Sequence, residues 1–180
     1  MRPCSRLIVA VSSQVGTKLL IKPVLVVLSA ALKPRGFAKS GFTFRLRNLD
    51  TISIVSIQSS TSSASALAMV TVNLGVHVPA LQDPQRPDKN PSAWSVHWHQ
   101  RIGHVLPQKS DVWWSIRSVQ EGNTAAAEIV RCVEEFGLLA LAEISTVAAL
   151  QRLWESGRSP GLTAGQRARY LQQLAGAAAT

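Results

Sequence analysis

The order of hydrophobic patterns predicts an α+β domain with a largely antiparallel sheet of about four to five strands, packed against an N-terminal helix and C-terminal helices. Three observations carry that prediction. A long apolar segment at helical spacing comes first, alternating and β-branched segments follow, and helical periodicity returns from Thr124 onward. With 180 residues, 46% hydrophobic and 16% charged, the chain can bury one core and is too poor in charge for wholesale disorder.

In TKLLIKPVLVVLSAALKPRGF, residues 17–37, the polar Lys18, Lys22, Ser29 and Lys33 share one narrow arc of a helix, and the rest is apolar nearly all round. Such a helix is expected to lie deep against a sheet and to be covered on most sides. Pro23 either begins its main body or kinks it, and Pro34 with Gly36 ends it. FTFRLR (42–47) alternates Phe42, Phe44 and Leu46 with Thr43, Arg45 and Arg47, as a half-buried strand does. NLD (48–50) forms a turn, and TISIVSIQ (51–58) is a second, β-branched strand. SSTSSASA (59–66) reads as a flexible loop.

The alternation is cleanest in MVTVNLGVHVP (69–79). Val70, Val72, Leu74, Val76 and Val78 point one way; Thr71, Asn73, Gly75 and His77 point the other. A loop with three prolines, LQDPQRPDKNPS (81–92), precedes a predicted strand over 94–101, which places Trp94, Val96 and Trp98 on a buried face and Ser95, His97, His99 and Arg101 on the opposite one. In DVWWSIR (111–117) the adjacent Trp113 and Trp114 face opposite sides of a strand. Ile129, Val130, Val133 and Phe136 share a helical face that Gly137 is expected to stop, LLALAEI (138–144) is a short helix, and Ser145 is the expected N-cap of TVAALQRLWES. GRSPG then breaks the chain before a last helix over 162–179 whose alanine-rich tip frays. These readings divide the chain into an N-terminal extension (1–15), one α+β domain (16–155) and a C-terminal helix packed on it (156–180).

Several function classes are disfavoured. LIVAV (7–11) is too short for the apolar core of a secretory signal, and lysines interrupt every window long enough to span a membrane, so a soluble chain without a membrane partner is expected. Cys4 and Cys132 are too few and too far apart for a disulfide framework or a zinc cage, which fits a reducing cytoplasm. Cys132 sits among apolar helical neighbours as a small core residue. There is no G-x-S-x-G and no phosphate-cradling loop, so no cofactor is expected and catalysis is disfavoured. The net charge of +9 is concentrated at the ends: Asp50 is the first acidic residue, and nine Lys/Arg precede it. Solubility explains such a bias, and so does a polyanionic partner such as nucleic acid.

All four histidines lie between His77 and His104. If His97 and His99 stand on one strand face, about 7 Å apart, with His77 on a neighbouring strand, the three form a solvated polar face, a pocket for an anion or polar ligand, or the centre of a metal-dependent hydrolase. Arg101 on the same face opposes a metal cation, and no carboxylate is near in sequence, so no metal is assigned. The favoured reading is a non-enzymatic binding module, with a protein partner on a surface made of Asn73, His77, His97, His99 and Arg101 and bordered by Trp113 or Trp114.

IKPVLVVLSAALKPRGFAKSGFTFRLR, TVNLGVHVP, HWHQRIGHVLP, DVWWSI and EEFGLLALAE, in that order, resemble a bacterial family known as domain of unknown function 4304. The likeness spans about residues 18 to 155. It rests on a His at the position of His97, the Arg101-Ile102-Gly103 triplet and the Trp113-Trp114 pair. His99 stands where a basic residue is more usual, and the first 15 residues lie outside the pattern. The resemblance implies a stand-alone α+β domain with no established activity, and it weakens the metal reading because the three-histidine set depends partly on residues peculiar to this chain.

Overall fold

The computed structural model describes residues 5–61, 67–83 and 85–178, with side chains for 18–60, 67–83 and 85–176. The α+β expectation holds. One sheet contains β1 (Ala38–Ser40), β2 (Thr43–Arg47), β3 (Ile52–Thr61), β4 (Ala68–His77), β5 (Trp98–Arg101) and β6 (Trp114–Ile116). Neighbours are antiparallel in the order β1-β2-β3-β4, and the free side of β4 is shared: β5 pairs with Asn73–Val76 and β6 with Ala68–Val70. The sheet therefore has one or two strands more than expected. The extra strand β1 consists of three exposed residues, too few to show a period of two. β3 continues through Thr61 into the serine-rich stretch, and the rest of the expected loop, residues 62–66, lies outside the described residues.

The register settles which side chains share a face. Phe44, Val55, Ile57, Val72, Leu74, Val76 and Trp98 line the first face and are buried there. Helix α1 (Ser5–Leu32) and α2 (Val119–Cys132) close this face, followed by a π-helical turn (Val133–Gly137) and α3 (Leu138–Glu143). α1 buries Ile21, Val24, Leu28 and Leu32, a stripe at helical spacing. From Lys18 onward it is not covered on most sides: Leu19, Val26 and Val27 remain exposed. Pro23 lies inside α1, which extends several turns before it. α2 approaches α1 at Gly122, where a Cβ would stand 2.7 Å from the Leu20 carbonyl oxygen, a contact only glycine allows without displacement.

Two helix boundaries differ from expectation. Gly137 does not stop the helix; it keeps helical dihedrals at the junction with α3 and is buried, its missing side chain leaving room for Ile102 and Leu74. Helix α4 (Val147–Glu155) is capped by Thr146, whose hydroxyl accepts from the Ala149 N–H, while Ser145 uses its carbonyl to accept from the Thr51 hydroxyl. The last helix, α5 (Ala164–Ala178), follows, and nothing beyond it is described. Cys132 is a buried core thiol, and burial raises its pKa. Among the described residues no helix is long and apolar enough to cross a membrane.

Candidate functional site

The second face of the sheet carries Ile52, Ile54, Ser56, Thr71, Asn73, Gly75, His77, His99 and Arg101. It is not a solvated polar face. Ile54 and Thr71 are fully buried, and Asn73 and His77 are 1% and 2% exposed. Two irregular segments cover it. The first, made of residues 82–83 and 85–97, lays Val96 over Gly75, where an added Cβ would come within 2.8 Å of the valine. The second, before β6, accepts the Thr71 hydroxyl on the Val112 carbonyl at 2.8 Å. Gly103 lets this segment close, since a Cβ there would run into the backbone of Ser110 and Val112.

His77 organises the first cover. The Asp88 backbone N–H donates to Gln82 Oε1, which turns the Gln82 amide nitrogen toward His77 Nε2 at 2.5 Å. That nitrogen must accept, so the ring proton sits on Nδ1 and is donated to the Ser95 carbonyl at 2.6 Å. The Ser95 hydroxyl donates back to Asp88 Oδ2, closing the circuit. On the other flank Arg45 donates to the carbonyls of Pro91 and Asn90 at 2.7 and 3.1 Å. The proline-containing loop is thereby pinned from two strands.

His97 departs from the expected alternation because a turn at Ser92–Ser95 breaks the strand, which begins only at Trp98. Its Nδ1 accepts the Val78 N–H at 3.0 Å, and its ring lies 5.0 Å from His77 and 5.1 Å from Tyr170 of α5. Burial, then the proximity of His77 and of Arg169, pushes its pKa down to about 4, so the ring is neutral near pH 7. With both His77 nitrogens and His97 Nδ1 engaged in these bonds, the histidines are not arranged as a metal centre, and among the described residues no three His, Cys, Asp or Glu side chains are placed to hold an ion.

The same turn breaks the expected tryptophan pattern at one of its two positions. Trp98 is buried on the first face, whereas Trp94 is 73% exposed and lies over the His99 ring, centroids 5.8 Å apart and planes tilted by 30°. The His99 pKa is lowered by burial and then by Arg101. Two residues along β5, the Arg101 guanidinium stands 5.2 Å from the Trp113 ring and pairs with Asp111 at 2.6 Å, while the Trp113 indole N–H donates to the same carboxylate oxygen. Trp114 is not part of this group: it turns to the first face and its indole N–H donates to Glu128 on α2. Asn73 is held beneath the covers, donating to Gln58.

The seven residues singled out from the sequence therefore separate. His99, Arg101 and Trp113 share the outer strip along β5; Asn73, His77 and His97 are scaffolding below the loops; Trp114 belongs to the helical side. Trp94 was missed as a surface residue, and its nearest signal was the Pro/Asn/Ser-rich run that ends two residues before it.

No curated protein matches this chain, and no solved structure matches it. One family model does, over residues 28–143, from the last turn of α1 to the end of α3, a span that takes in the whole sheet, both covering segments and Trp94; on that match the chain belongs to the family described as domain of unknown function (DUF4304).

Proposed function

We propose that this domain is a non-catalytic binding module whose partner is a protein that buries Trp94. The observation that carries the reading is the display of an exposed tryptophan on a loop fixed by partly buried hydrogen bonds. Tryptophan and arginine are the residues most often responsible for binding energy at protein interfaces, and a loop ordered before contact spares the entropy of ordering it. His99 forms the floor under Trp94, and Arg101 with Trp113 extends the surface along β5. Asn73, His77 and His97 contribute by holding the loop. The partner belongs in the cytoplasm, the compartment that two isolated cysteines favour.

Proteins captured on the immobilised full chain, once purified, are titrated by calorimetry against the wild type, Trp94→Ala and a Lys39→Gln/Arg47→Gln control. The reading expects Trp94→Ala to weaken affinity by about tenfold or more, equivalent to ~1.4 kcal/mol, with the control unchanged. Capture of nothing at micromolar concentration, or equal affinity for wild type and Trp94→Ala, overturns it.

A further inference from the structure

Where the β2–β3 turn approaches α3, on the helical side of the sheet, lies a cavity of about 250 Å³. Its apolar walls are Phe37, Leu46, Leu138 and Leu141, and the exposed Arg35 and Ala142 complete it. Arg35 pairs with Glu134 at 2.9 Å and donates to the Ala31 carbonyl, so it brings no uncompensated charge. The remaining lining is Asn48, Ser53 and Ser145, and their hydrogen bonds fix which polar atoms are left over. Thr51 donates its single hydroxyl proton to the Ser145 carbonyl at 2.5 Å, so toward Asn48 its oxygen can only accept. The Asn48 amide nitrogen therefore faces Thr51 and Ser53, giving one proton to each hydroxyl oxygen at 2.9 Å, and Oδ1 is turned away from both. The Ser145 hydroxyl is engaged with the Ala142 carbonyl. Among the described residues two groups in this lining keep hydrogen-bonding capacity: the hydroxyl proton of Ser53, a residue 3% exposed, and Asn48 Oδ1. They flank one amide nitrogen, a donor and an acceptor side by side.

We infer that this cavity binds a small uncharged molecule carrying one hydroxyl group on an apolar body. A hydroxyl oxygen accepts from Ser53 while its own proton goes to Asn48 Oδ1, so one group satisfies both. An anion finds only Arg35, already balanced by Glu134, and a cation finds no carboxylate in the lining. A wholly apolar molecule would leave the Ser53 proton without an acceptor. An apolar cavity of about 150 Å³ is enough to hold benzene, so the volume here admits a ring of that size with its hydroxyl. The cavity lies on the opposite side of the sheet from the loop that carries Trp94, and the proposal stands if that reading fails.

The test titrates the full-length chain, labelled with ¹⁵N, with phenol and in parallel with benzene, which has the ring without the hydroxyl. Saturable amide shifts are expected at Phe37, Leu46, Ser53 and residues 138–145. Ser53→Ala is expected to weaken phenol binding about fivefold, the value of one hydrogen bond, and to leave benzene binding unchanged, which shows that the cavity itself persists. Ala142 is exposed on α3, so Ala142→Leu keeps the helix while filling the cavity, and it is expected to abolish the shifts with both molecules. No saturable shift with phenol, shifts confined to other parts of the chain, or phenol binding that survives Ala142→Leu overturns the proposal. So does Ser53→Ala if it leaves phenol affinity unchanged or weakens phenol and benzene alike.

Discussion

His77 donates from Nδ1 to the carbonyl oxygen of Ser95 at 2.6 Å, joining the last residue of the central strand to a loop eighteen residues later. Through this bond the second face of the sheet is closed and Trp94 is held at the surface. His77→Ala leaves the Gln82 amide and the Ser95 carbonyl unsatisfied under cover, which is expected to cost about 3 kcal/mol. Urea unfolding measures it. Limited proteolysis of the variant is expected to cut first between Gln82 and Trp94, and a variant as stable and as resistant as the wild type would remove His77 from this role.

His97 makes stability depend on pH. Its folded pKa of about 4 lies below its ordinary 6.5, because the ring is buried and faces His77 and Arg169. The unfolded chain thus binds a proton that the folded one refuses, so this contribution is complete above about pH 6.5 and is lost as pH falls toward 4, amounting to about 3 kcal/mol at most. His99, also lowered, adds in the same sense. His97→Asn keeps an acceptor for the Val78 N–H and removes the titration, so its stability curve should be flatter than the wild type between pH 6.5 and 4. Parallel curves would place the acid sensitivity elsewhere.

The Arg101-Ile102-Gly103 triplet gains three separate physical roles. Arg101 meets Asp111 and Trp113, Ile102 is buried against Gly137, and Gly103 lies under the backbone of Ser110. Gly103→Ala drives a methyl group into main chain that has no rotamer to yield, with an expected loss of about 3 kcal/mol in chemical denaturation. Gly165→Ala, on α5 with open space around it, is the control and should be neutral or slightly stabilising. Equal behaviour of the two variants would show that the second cover is pliable.

How legible these features were depended on how local their causes are. β4 was readable from five alternating apolar residues, because one of its faces packs on helices along its whole length. β1 was not, being three exposed residues held by pairing with β2. His77 and His97 do lie together, but through the turn before Trp98 and not through the alternation with His99 that the sequence suggested, and their burial follows from a proline-containing loop folding back over the sheet, a long-range event that periodicity does not register. The same loop reversed the assignment of Trp94: alternation counted backward from Trp98 fails at the Ser95 turn, where the Ser92 carbonyl accepts the Ser95 N–H. The continuation of α2 through Gly137 was lost for a different reason, since glycine there serves close packing against Ile102 and not a left-handed cap.

Trp94 separates display from structure. An indole 73% exposed contributes little to the core, so Trp94→Ala should change unfolding free energy by less than about 0.5 kcal/mol. Trp98→Ala, on the buried face, should cost about 4 kcal/mol. Fluorescence provides the second measurement. Of the five tryptophans, Trp98 and Trp154 are buried and Trp113 and Trp114 are half-buried with hydrogen-bonded indoles, so Trp94 should account for most of the fraction quenched by acrylamide. Trp94→Phe is expected to remove that fraction while leaving the midpoint of unfolding in place. A quenched fraction that survives the substitution, or a large drop in stability, would mean that the indole folds back onto the sheet in solution, and a residue used for packing could not serve as the anchor for a partner.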